Sequence, residues 1–453
     1  MAAMNVNAFI LTFFTQPAPL RLVIGAIAAY YSSPIISESD ALWFFKRARK
    51  AVILASDRPT FSSIQAYFWI HLYAGIMKKE ELGLPFLKMA IDFAVISKVD
   101  VDPDFQPQLA HMNEIQKEER RRIFWSVCFI SRVVLSVRSD YALSMLQLDQ
   151  MKPLQPIIGV FEGMRSCKPV CEVRGFIIAI KRHYDSVPSS IQKILYCSNL
   201  QNLHIQFVIL LSNIPPSLVL PFDNQLEIMS ILLSNTEPVD IHVPSLNLDI
   251  LACTTLLYRS QLYLSALNKF HPSILAPSTQ DIVITAIEQC IIAVKRAKSL
   301  VQVLYDMNDI NISAHSRFWY PLFELSIVSW FIVCRMDKAW SEFVPIEVSE
   351  LVAASELFAD LAIKSMNELD ISLPISTALT IMMQEMKVSV DQGQNIRPSA
   401  STGTALSNKW EVGLDGSYFG YLGLMGLEVG GMAWKGKNEA EWKQFWKQNG
   451  IKQ

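Results

Sequence analysis

The chain is 453 residues long, with 40 Lys and Arg against 42 Asp and Glu, a net charge of −2. That balance excludes a molecule that draws in nucleic acid by its overall field. The length permits a large buried core, in one extended helical domain or two ordinary ones.

Apolar residues recurring every three or four positions predict helices along most of the chain. Residues 19–31 form the first, with Val23, Ile24, Ile27, Ala28 and Tyr31 on its inner face. Ser39 or Asp40 is expected to cap a second over 41–55. Its Lys46, Arg47, Arg49 and Lys50 read either as a solvated face or as a nuclear localisation patch. A third helix spans 62–77, where His71 joins an inward stripe and reads as a core histidine rather than a ligand. The fourth spans 84–98, and an Asp- and Pro-rich loop over 99–107 follows.

Residues 113–137 carry the strongest pattern. Asn113 is placed to cap this helix, with Gln116 completing a capping box, and Glu118 stands one turn before Arg122. Ile123, Val127, Ile130, Val134 and Val137 share a face, and Phe124, Cys128, Phe129 and Leu135 fill the flanks. A helix apolar almost all round is buried by its neighbours. Arg120, Arg121 and Arg122 cannot all face one way, so at least one needs a buried acceptor. By composition the charged first half reads as a solvated end.

Beyond it, Pro153, Pro156, Gly159, Pro169 and Gly175 predict an irregular crossing, with helices resuming near Phe176. Breaks fall at 213–216 and 238–244; helices follow over 248–267, 279–307, 349–369 and 374–387, with an apolar one through 329–332. Residues 389–409 read as a flexible linker. The remaining 410–453 form a Gly- and Trp-rich apolar tail, expected to dock on the domain or to capture a partner as a short peptide. Its Gly431, Gly436 and Lys437 fit a phosphate loop, but Asn438 stands where a hydroxyl would hold magnesium.

The first half of the organising helix adds residue identity to spacing. Arg120, Arg121, Arg122, Phe124 and Trp125, followed by Arg132 and Arg138, resemble the signature of the fungal-specific transcription factor regulatory region. In that region, the middle homology region of fungal zinc-cluster regulators, an Arg-rich turn runs into Phe-Trp, Asp-Arg and Gly-Arg-Pro. Ser131, Val137 and Ser139 depart from the pattern. Leu256, Tyr258, Gln261, Leu262 and Tyr263, then His271-Pro272, resemble a second block, and residues 290–294 and 318–323 continue the likeness, which covers about 20 to 385 in order. The resemblance implies an all-α regulatory domain over 1–388, a nuclear location and control of pathway genes, secondary-metabolite clusters among them. It also implies a partner in the transcription machinery and a small-molecule effector between helices.

Such regulators carry six closely spaced cysteines that hold zinc and read DNA, and this sequence has no such array. Three readings follow: action through a DNA-binding partner, a DNA contact by another surface, or a truncated product.

Two other classes stay open. A helical enzyme or metabolite-binding protein would place its site between helices. A membrane protein is the third, suggested by a chain that is 51% hydrophobic and 18% charged. Against it, the uncharged runs 1–20 and 194–222 are interrupted by Asn, Gln and Pro, and 22–37 is short, so no membrane span is expected. No basic stretch precedes the apolar residues 8–14, so no secretory signal is expected, and the seven cysteines fit a reducing compartment. Cys167 and Cys171 read as unrelated thiols, and His183 and Asp185 lie too close on one helix to face each other. No motif for catalysis, metal or cofactor emerges.

Overall fold

The computed structural model describes residues 4–32, 35–55, 57, 59–77, 79–137, 142–157, 160–161, 165–222, 224–233, 242–307, 318–366, 372–391, 411–412, 424–430, 433–434 and 438–450. The fold is all-α and built from helices packed in pairs, as the periodicity predicts. Among the described residues, paired strands are limited to β1 (Glu411–Val412) and β2 (Ala433–Trp434), two residues each and parallel. The chain forms two compact units: Met1–Val134 with Tyr141–Cys171, and Leu135–Asp140 with Glu172–Gln453. The domain expected over 1–388 thus divides between them.

In the first unit, α1 (Val6–Leu11) precedes the pair α2 (Ala18–Tyr31) and α3 (Glu38–Leu54), and α4 (Phe61–Ile76) pairs with α5 (Glu80–Ile96). The second helix begins earlier than expected because the Ser37 side chain accepts from the Asp40 amide, which puts Ser39 and Asp40 inside the first turn. Lys46, Arg47 and Lys50 are exposed, and Arg49 is half-buried over the Phe45 ring. A reciprocal cap between Thr60 and Ser63 starts α4.

Gly83 lets α4 and α5 approach closely: a Cβ there would lie 2.9 Å from Ala74 Cβ and 3.0 Å from His71 Nδ1. His71 is buried in that contact, and desolvation pushes its pKa down to about 4, so it is neutral at physiological pH.

Next come α6 (Glu114–Val137) and α7 (Cys167–Tyr184), and the division between the units falls within both. Asn113 and Gln116 form the expected reciprocal cap, at 2.9 and 3.1 Å. The start of α7 corrects the expectation that helix resumes only near Phe176. Pro169 sits in the first turn, where its missing N–H has no helical partner to lose.

The second unit contains α8 (Ile191–Leu195), α9 (Ser198–Asn213), α10 (Gln225–Leu233), α11 (His242–Leu264), α12 (Pro277–Asp306), α13 (Trp319–Cys334), α14 (Val348–Met366), α15 (Ser372–Asp391) and α16 (Glu439–Asn449). Here α11 pairs with α12 and α13 with α14, and α13 is buried along its whole length. The expected break at 238–244 ends sooner, because Pro244 lies in the first turn of α11.

By length and composition alone, residues 191–213 could cross a membrane, with mean hydropathy 1.3 over the most apolar window. Only 22% of that window is buried, and Ile205, Val208 and Ile209 of α9 face outward. The stretch is interrupted between α8 and α9 at Tyr196 and Cys197.

Of the tail, the described residues 424–430 and 438–450 pack within the second unit. Trp446 Nε1 donates to the Met425 carbonyl at 2.8 Å, and Trp442 Nε1 to the Tyr184 carbonyl at 3.1 Å. Both indoles are buried, with Trp446 against Tyr263. Gly426, at φ +78°, is required there: a Cβ would lie 2.2 Å from the Lys443 amide nitrogen. Of the expected linker, 389–391 end α15; the rest of it, and the phosphate-loop spacing at Gly431, Gly436 and Lys437, lie outside the described residues.

Candidate functional site

In the first unit, Glu118 and the three arginines of α6 are buried, which corrects the reading of a solvated end for that turn; Glu114, at the helix start, stays exposed. Arg120, Arg121 and Arg122 are 9%, 4% and 1% exposed. Arg121 grips Asp102 at 2.9 Å and Asp104 at 2.8 Å, and Arg122 meets Glu118 at 3.2 Å with its guanidinium over the Phe161 ring. Arg120 lies over Phe61. All three arginines therefore need inward partners, because residues 102–104, 152–155 and Phe161 cover this part of the helix. Burial pushes the Asp102 carboxyl up, but bonds from Arg121 and from the Asp104 and Lys152 amides outweigh it and hold the group below the usual range.

Phe124 and Trp125 are fully buried, and Trp125 Nε1 donates to the Lys152 carbonyl at 2.9 Å. Arg132 donates to the Cys171 carbonyl at 2.6 Å and to that of Leu146 at 3.2 Å. Arg138 lies outside the described residues. The signature side chains thus brace loops against a helix. Cys128, Cys167 and Cys171 are all buried, and interaction with the Cys171 thiol together with burial pushes Cys128 well up. Among the described residues no group of three or more His, Cys, Asp and Glu could hold a metal ion.

The second unit holds a different cluster, which sequence reasoning missed. Arg174 is paired with Asp249 at 2.9 Å and donates to Ser136 Oγ at 3.2 Å. Glu324 receives Arg259 at 2.6 Å, with Lys181 at 3.6 Å, and the Lys181 ammonium lies 4.4 Å above the Tyr320 ring. Three cations face two carboxylates, all 0–1% exposed. Desolvation dominates: it pushes Lys181 down to about 8 despite Glu324, and Asp249 up to about 6 despite Arg174. One signal could have found this cluster. Glu324 is the sole charge in the sixteen residues of α13, and a lone carboxylate in so apolar a helix needs a buried cation.

At the C-terminal end of α7 lies a cavity of about 360 Å³, a size suited to a small metabolite. His183, Lys193, Cys197 and Asn199 line it with the apolar Ile194, Leu200 and Trp442. Tyr184 and Ser260 also line it and are tied together, the hydroxyls 3.2 Å apart. His183 Nε2 lies 4.0 Å from Cys197 Sγ. Burial lowers the His183 pKa, which keeps the ring neutral and able to accept a proton. His183 and Asp185 make no catalytic pair, as expected from their spacing; the thiol that meets the imidazole comes from the start of α9.

No protein family, no curated protein and no solved structure matches this chain.

Proposed function

We propose that the protein is a fungal transcriptional regulator of pathway genes, a secondary-metabolite cluster among the candidates, whose helical domain responds to a small molecule. The observation that carries this reading is the run Arg120–Trp125 with Arg132, which resembles the regulatory region of zinc-cluster regulators and occupies bracing positions in an all-α domain. Bracing fits a regulatory scaffold, because Arg121, Trp125 and Arg132 are held by neighbouring carboxylates and carbonyls. Contact with DNA, on this reading, runs through a partner protein or through a module outside this sequence, and the protein works in the nucleus. Deleting the gene and profiling transcripts tests it, with nuclear enrichment of a tagged protein as the second readout. A coordinated loss of one set of neighbouring transcripts is expected; unchanged transcripts overturn the reading.

A second reading, a metabolite-binding protein or enzyme, is favoured by the cavity beside His183 and Cys197. It predicts normal transcripts and a missing or accumulated metabolite in the same deletion strain.

A further inference from the structure

All seven cysteines are free, and six are buried; Cys197 is the exception. It is also the one cysteine that lines the cavity, and its sulfur lies 4.0 Å from an imidazole nitrogen. Cys197 caps α9 without using its side chain, so the sulfur is not engaged by the helix it begins. The positive end of that sixteen-residue helix favours negative charge at the same place.

Around the thiol, the titratable lining groups among the described residues are His183, Tyr184 and Lys193, with no carboxylate among them. Lys193 and the Asn199 amide supply donors, while Ile194, Leu200 and Trp442 supply an apolar wall. A nucleophile, a base, donors for an oxygen that gains charge and a small apolar volume are the requirements of conjugate addition.

We propose that this cavity captures a small α,β-unsaturated carbonyl compound with an apolar body, and that Cys197 is the residue it modifies. His183 Nε2 takes the thiol proton, and the sulfur adds to the β-carbon of the acceptor. The C=C π pair moves to the α-carbon and carbonyl as an enolate, and the α-carbon then takes the proton back from the imidazolium. One C–S and one C–H bond form, the S–H bond and the π bond are lost, nothing leaves and no external oxidant or reductant takes part. The proposal gives a ligand class to the cavity on which the metabolite-binding reading rests, and the same cavity would serve the regulator reading as an effector site. It is tested on purified protein without DNA, so its failure and the failure of that reading are separately visible.

The test is limited labelling of the folded full chain with N-ethylmaleimide, itself such an acceptor, read by peptide mass mapping. The expected result is a single adduct at Cys197, formed roughly tenfold or more faster than on N-acetylcysteine at the same pH. Cys197→Ser removes the adduct. His183→Ala and the gentler His183→Gln each slow it roughly tenfold or more at neutral pH and move the rise of the pH–rate profile to higher pH. Circular dichroism confirms that the variants stay folded. Adducts spread over other thiols, a rate no faster than the free thiol, or an unchanged pH–rate profile in both His183 variants would each overturn the proposal.

Discussion

The two units each carry a cluster of arginines and carboxylates, and the clusters work in opposite senses. Around Arg121, Asp102 and Asp104 sit near a surface through which Asp104 stays 27% exposed, and several donors hold both carboxyls below their usual range. Around Glu324 and Asp249, burial is complete, cations are in excess, and both Lys181 and Asp249 are pushed towards their neutral forms. Pairing wins at Asp102 and Asp104, and desolvation wins at Asp249 and Lys181; it wins also at the buried Glu118 of the first cluster, despite Arg122, the Gln155 amide and Arg121. The two also differ in origin: the first joins arginines of one helix to acids nearby in the chain, whereas the second draws Arg174 and Lys181, Asp249 and Arg259, and Glu324 from three separate helices.

Glu324→Gln should have the largest effect, about 3–5 kcal/mol lost in denaturant unfolding, because Arg259 is left buried without its counter-charge. A loss below 1 kcal/mol would mean that solvent reaches the cluster. Trp125→Ala should cost a similar 3–5 kcal/mol by opening a cavity and orphaning the Lys152 carbonyl. A soluble, equally stable variant would show Trp125 to be exposed and turn attention to partner binding.

The pH dependence separates the clusters by sign. Asp249 binds its proton more tightly in the folded than in the unfolded state, so its contribution is present at low pH and is lost as pH rises from about 4 to about 6. Asp102 and Asp104 run the other way, their contribution being present above the unfolded carboxylate range and lost as pH falls. Unfolding free energies for Asp249→Asn and wild type, compared between those values, should diverge by up to about 3 kcal/mol; parallel curves would erase the contrast. The smallest effect belongs to Lys181→Met. It removes a cation that burial already disfavours, so stability should change by about 1 kcal/mol or less. A loss as large as that of Glu324→Gln would show that the ammonium is essential to the cluster.

The helices themselves were largely legible. The α6 cap at Asn113, the Glu118–Arg122 pair and the apolar face from Ile123 are local features, and sequence carries local features well. Starts were misjudged where proline looked like a break, at Pro169 and Pro244, because a first turn tolerates it. Beyond one inward arginine among 120–122, the buried charges are not legible in sequence, because Lys, Arg, Asp and Glu are ordinarily surface residues. The cavity was not legible at all: His183, Cys197, Ser260 and Trp442 converge from four helices or their ends, and no spacing rule links them.

The position of α16 has a consequence for assembly. Trp442 walls the cavity and donates to the carbonyl of Tyr184, 258 residues earlier in the chain, and Trp446 meets Tyr263 edge-on. Closing the pocket therefore waits on a contact of long sequence separation, whose loop-closure entropy must be met before the packing repays it. Removing α16 would keep every upstream helix and still leave the pocket without its aromatic wall.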